Sequence, residues 1–227
     1  RSKQRIGGTH RCAHAWNGRG GETETAGAPT RQVKVLDPRN PRYNNARSLA
    51  VGEFISAWRG SKNTSGAKTM ILLAIDPGPA GKPACGWVKT DTRDMRVLAC
   101  GQSDEKALVA MIRDGGQDGM ALETMESYGQ AVSASVFSTC ETIGRLMQAA
   151  EDAGLSVIRV SRRSVKKALR LPMHAGDTQV RAKLLMMYPK AGGGATPQIG
   201  TKAAPGPLYG VTGHSMAALG VAWAAKG

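Results

Sequence analysis

One short run constrains the fold of this 227-residue chain more than any other feature. Residues 70–76 read MILLAID and are closed at once by Pro77-Gly78-Pro79. The run is apolar without alternation and too short for an ordinary helix, which predicts a strand buried on both faces. Such a strand needs a sheet with helices packed on each side, so the fold class is α/β. The run ends in its one charged residue, Asp76, which therefore stands at the strand's carboxyl end.

The rest of residues 70–227 supplies the other layers. Strands are predicted over 85–89 and 96–100, separated by a polar turn over 90–94. With the first strand they make an antiparallel meander. A helix is predicted over 104–113 with Ser103 as its cap. Residues 119–124 (GMALET) read as a further buried strand. A long amphipathic helix follows over 131–153, its stripe formed by Val132, Val136, Phe137, Cys140, Ile143, Met147 and Ala150. Gly154 stands where a helix-ending glycine belongs. A fifth strand is predicted over 156–160, then a basic helix over 164–169 and a second helix from Asp177, read as its N-cap, to 187. After a Gly- and Pro-rich loop over 189–207, the last helix, 214–225, is apolar almost all round and belongs against the sheet. The expectation is a five-stranded mixed sheet flanked by helices.

Charge divides the chain unevenly. Residues 1–69 carry 13 Lys and Arg against 4 Asp and Glu, and the remainder 18 against 13. The first part shows little periodicity beyond an amphipathic stretch over 48–58 (Leu49, Val51, Phe54, Ile55, Trp58) and a linker over 59–69. It reads as a basic, poorly structured extension, with Met70 as a natural start of the folded domain. His10, Cys12 and His14 alternate, which is poor spacing for structural zinc. The net charge of +14 points to a polyanion, most simply nucleic acid. No run approaches a membrane span and no secretory h-region follows the first residues. Cys12, Cys85, Cys100 and Cys140 lack paired spacing, which predicts reduced thiols and a cytoplasmic setting. Gly78, Gly81 and Gly86 surround a turn rather than open a helix, so they make no dinucleotide fingerprint.

Two carboxylates carry the chemistry. Asp76 ends the first strand and Glu123 the fourth. If those strands are parallel neighbours, both acids emerge at the carboxyl edge, where open α/β sheets place their sites. Like charges brought together there call for a cation, and hard oxygen ligands select Mg²⁺ or Mn²⁺. Such ions activate a water and stabilise the leaving oxygen of a phosphodiester.

The tract from Ile71 to Gly78 (ILLAIDPG) resembles the opening of the RuvC-type Holliday junction resolvases, of the RNase H-like superfamily. The resemblance continues through Leu122-Glu123, Ser127-Tyr128-Gly129, Val136 to Cys140 with Ile143-Gly144-Arg145, and Val165-Lys166. It ends in Pro205 to Gly210 (PGPLYG) and Gly213-His214 with Ala217-Ala218-Leu219. The longer tracts look most like the phage branch. The resemblance covers nearly all of 70–227 and none of 1–69. It implies an RNase H-like fold, a homodimer, and Mg²⁺-dependent nicking of four-way or branched DNA in a bacterial or phage-infected cell. It implies Asp76 and Glu123 as metal-binding acids, His214 as a third ligand or proton carrier, and Lys166 as a phosphate contact near the scissile bond. Ala217 falls where many cellular relatives carry a further Asp.

Arg162, Arg163, Lys166, Lys167 and Arg170 form a basic run suited to DNA phosphates. Tyr128 is placed to stack on an unpaired base. Two rival readings stand beside the nuclease. One is a non-catalytic branched-DNA binding protein, motivated by Ala217. The other is an RNase H-like nuclease acting on RNA–DNA hybrids.

Overall fold

A computed structural model of the chain describes residues 70–80, 83–126, 129 and 131–227. The expectations for residues 1–69, and for Tyr128, lie outside the described residues. Five strands form one sheet: β1 (Ile71–Asp76), β2 (Cys85–Asp91), β3 (Val97–Ser103), β4 (Gly119–Thr124) and β5 (Ser156–Ser161). Their order is β3-β2-β1-β4-β5. The pairs β1–β2 and β2–β3 are antiparallel, whereas β1–β4 and β4–β5 are parallel. This is the expected five-stranded mixed sheet.

The pleat of β1 explains the layers. Leu72, Leu73, Ala74 and Ile75 are all fully buried. Successive side chains of a strand point to opposite faces. Leu73 and Ile75 enter one apolar cluster with Leu108 and Ile112 of α1 (Glu105–Asp114) and Ile143, Leu146 and Ala150 of α2 (Ala134–Asp152). Leu72 and Ala74 enter the other, with Val165 of α3 (Arg162–Ala168) and Val180 and Leu184 of α4 (Asp177–Met186). Leu219, Val221 and Ala222 of α5 (Gly213–Lys226) complete that second cluster. Fully burying a Leu or Ile contributes roughly 1.5–3 kcal/mol, so this one strand ties both helical layers to the sheet.

The helix boundaries differ from expectation where a side chain competes for the cap. Asp104, not Ser103, caps α1, its carboxylate accepting from Ala107 N at 2.8 Å. Ser103 stays in β3, where its hydroxyl accepts from Trp87 Nε1 at 3.0 Å. The basic helix starts two residues early, at Arg162, capped by Ser161, whose Oγ accepts from Ser164 N. Gly176 caps α4, so Asp177 is its first helical residue rather than its cap.

The stripe on α2 is buried only in its second half. Ile143 and Ala150 of the expected stripe are buried together with Leu146 and Ala149, whereas Phe137 and Cys140 are exposed. The exposed Val132 lies before the helix, which begins at Ala134 rather than at 131. Arg145 on this helix donates to both carboxylate oxygens of Glu105 at 2.9 and 3.0 Å, linking α2 to α1. Gly154 takes the left-handed conformation (φ 69°) that ends the helix. Among the described residues no helix is long and apolar enough to cross a membrane.

Candidate active site

The register of the central strands brings the two acids together. Ile75 of β1 pairs with Leu122 of β4 in parallel. The next residue on each strand is Asp76 and Glu123. Both follow the parity of Ala74 and Ala121, which face the α5 side of the sheet. The carboxylates therefore emerge side by side at the carboxyl edge of parallel strands, as the sequence led us to expect. They line a cavity of about 670 Å³ together with Arg162, Asp177, His214 and Ala217.

His214 reaches this edge from the first turn of α5. Its Nδ1 lies 3.0 Å from Asp76 Oδ2. A glycine makes the approach possible. Gly86 pairs with Asp76 across β1 and β2. A Cβ added to Gly86 would lie 2.1 Å from the backbone carbonyl of His214. Any side chain there would push the start of α5 off the sheet and His214 away from Asp76. Gly86 thus belongs to the site, not to a turn; it lies within β2.

Burial sets the electrostatics. The Asp76 side chain is 17% exposed and Glu123 13%. Burial raises the Asp76 carboxyl above its ordinary 3.8, opposed by the hydrogen bond and charge of His214 and by Arg162. Burial, and then the charge of Asp76, push Glu123 from 4.5 up to about 7 against the pull of Arg162. Glu123 Oε2 is buried with no hydrogen-bond partner. Arg162 Nη1 stands 3.8 Å from it, within ion-pair range but too far for a hydrogen bond. The other arm of that guanidinium, Nη2, donates to Asp177 Oδ1.

These residues fit a divalent cation. Two buried carboxylates carry more negative charge than one distant arginine balances, and one of their oxygens is unsatisfied. Their donors are the hard oxygens that Mg²⁺ and Mn²⁺ prefer, with an imidazole beside them. Among the described residues no group of three or more His, Cys, Asp and Glu side chains is already drawn together around a metal position. Ala217 lines the same cavity and supplies no donor.

The basic run is distributed. Arg163, Lys167 and Arg170 are exposed. Arg170 adopts φ 54° just beyond α3, a left-handed position. Lys166 does not line the cavity; its Nζ donates to the Met173 carbonyl at 2.7 Å. Arg162 turns inward to the acids and is 28% exposed. Sequence reasoning placed Arg162 with the outward basic run and took Asp177 for a cap. Nothing in the spacing joined the two, because the basic helix was expected to begin only at 164 and Arg162 opens it in the structure.

No family model matches the chain, and no curated protein matches it. Among solved structures, it is similar to T. thermophilus RuvC in complex with Holliday junction substrate, at 19% identity and a TM-score of 0.48. It is also similar to the Thermus thermophilus RuvC structure, at 19% identity and a TM-score of 0.45. Each match covers 68% of this chain and 92% of that one. At that identity and score, the likeness assigns no activity to this chain.

Proposed function

We propose that this protein is a divalent-metal-dependent endodeoxyribonuclease that cuts four-way or branched DNA. The observation that carries the reading is the meeting of Asp76, Glu123 and His214 in one cavity at the carboxyl edge of parallel strands. The motif resemblance over residues 70–227 and the net charge of +14 support the choice of substrate.

Asp76 and Glu123 would hold Mg²⁺ or Mn²⁺, with His214 beside them. The bound ion would polarise the scissile phosphodiester and lower the pKa of the attacking water. The chain's own residues do the remaining work. Asp76 orients the His214 imidazole through the 3.0 Å contact. His214 is 54% exposed, so it is open to substrate as a ligand or as a carrier of a proton to or from the reacting oxygens. Arg163, Lys167 and Arg170 present positive charge to the phosphate backbone, which makes affinity fall with salt. Lys166 would reach a phosphate by releasing the Met173 carbonyl. Tyr128 would stack on an unpaired base, and a homodimer would nick two strands of one junction.

A second reading keeps the DNA surface without turnover. It is favoured by Ala217, which lines the cavity where a further acid would strengthen metal binding. One experiment separates the two. The full chain and its Asp76→Asn variant are incubated with a labelled four-way junction in Mg²⁺ or Mn²⁺, with linear duplex and an RNA–DNA hybrid as controls. Junction-selective nicking should fall by roughly a hundredfold or more in the variant, the scale for losing one preorganised contact to the transition state. Tight junction binding without nicking in either metal would establish the binding protein, and preferential cutting of the hybrid would redirect the substrate.

A further inference from the structure

Arg162 and Asp177 each open a helix at the acid cavity. Arg162 is the first residue of α3 and follows β5 directly; Asp177 is the first residue of α4. Both line the cavity that holds Asp76 and Glu123. An arginine here poses a problem for metal binding. Its guanidinium is permanently charged, so it cannot yield the site by losing a proton. Its planar fork matches a carboxylate, and the ordinary outcome beside a buried acid is a close, two-pronged pair with N to O distances of about 2.7–2.9 Å. A fork seated on Glu123 in that way would occupy the oxygens a divalent cation needs.

The observed geometry is different. Arg162 stands 3.8 Å from Glu123 Oε2, and that oxygen keeps no hydrogen-bond partner although it is buried. The hydrogen bond is made instead to Asp177 Oδ1, on a side chain that is 89% exposed. The solvent-facing acid has taken the pairing that the buried one would otherwise take. Asp177 also suits its place, since a carboxylate in the first turn is favoured by the helix dipole.

We propose that Asp177 is a positioning residue that holds Arg162 off Glu123 and so keeps the buried carboxylate open to a divalent cation. The inference rests on the metal-site reading above and adds an internal competitor to it. Arg162 balances part of the acid charge while the site lacks metal. Asp177 keeps that balance loose enough for the ion to enter. Without Asp177 the guanidinium falls back onto Glu123 and competes directly.

Mn²⁺ affinity, read by electron paramagnetic resonance on the full chain, tests this independently of turnover. Four proteins are compared: wild type, Asp177→Ala, Arg162→Gln and the double variant, each checked for an unchanged thermal transition. Asp177→Ala, which removes the acceptor for Arg162 Nη2, should weaken Mn²⁺ binding about tenfold, the lower end of what residues that orient metal ligands contribute. Removing the competitor should reverse this, so the double variant should bind as tightly as Arg162→Gln alone. Equal weakness of Asp177→Ala and the double variant would overturn the proposal, because Asp177 would then be contacting the metal itself. Unchanged affinity in Asp177→Ala would also overturn it, leaving the contact an ordinary surface ion pair. Both results leave the metal site standing. A wild-type chain that binds no Mn²⁺, with Arg162→Gln equally inert, would sink the metal-site reading and this inference with it.

Discussion

The two ends of the β1–β2 pair handle buried acids in opposite ways. At one end Ile71 pairs with Asp91, and at the other Asp76 pairs with Gly86. Asp91 is fully buried and clamped. Arg93 donates to both its oxygens, at 3.3 and 3.0 Å, its Oδ1 also accepts from Arg93 N, and Arg96 stands 3.8 Å away. The hydrogen bond from the Arg93 side chain holds its carboxyl below the ordinary 3.8. At the other end Asp76 and Glu123 are raised, and Glu123 Oε2 has no hydrogen-bond partner. A satisfied buried acid adds to stability, whereas a pair left short of positive charge costs stability and is free to bind. The contrast separates a clamped carboxylate from the pair proposed to bind metal, within six residues of strand.

Exchanging the consequences of the two ends is the most severe test. Asp76→Asn should abolish junction nicking with its melting temperature unchanged or raised. Asp91→Asn should keep junction nicking but lose about 1–3 kcal/mol of stability, since it removes the negative charge facing two arginines and turns one of the two acceptor oxygens into a donor. Denaturant unfolding beside the nicking assay reads both. A loss of activity without loss of stability in Asp91→Asn would erase the distinction.

Gly86→Ala probes the geometry that joins the working end to α5. The backbone overlap with His214 should cost about 1–3 kcal/mol by overpacking. It should also lower Mn²⁺ affinity, because His214 is displaced from Asp76. A variant with wild-type stability and affinity would show that the helix start moves freely.

The pH profile of the metal-free protein also distinguishes the two ends, with opposite signs. Glu123 has a raised folded value, so its contribution is fully present below 4.5 and is lost as pH rises towards about 7. Melting temperature should decline across that window, and either Glu123→Gln or added Mn²⁺ should flatten the decline. Asp91 has a lowered folded value. Its contribution is present above 3.8 and is lost as pH falls through the folded value, a limb that Asp91→Asn should lack. A Glu123→Gln profile identical to wild type between 4.5 and 7 would reject the assigned cause.

Much of the fold was legible because its signals are local. The unbroken apolar run of β1, the GMALET strand, and the helix ending at Gly154 each depend on short-range pattern and backbone preference. Helix starts were less legible, since Ser103 and Asp104 compete for one cap, and pairing with Cys85 and the Trp87 contact keep Ser103 in the strand. The α2 stripe misled in its first half for a related reason. Periodicity marks an apolar face, but only position over the sheet decides how far that face is covered, and Phe137 is left exposed.

The α/β class, the two carboxylates at strand ends and the basic run could be read from residue type and near neighbours. That Gly86 admits α5 to the sheet edge, that Arg162 faces inward, and that Asp177 meets it emerge only from packing. Those facts depend on segments 15 to 138 residues apart being packed together. Nothing in local spacing encodes a distance across a cavity, because that distance is set by how whole helices settle on the sheet.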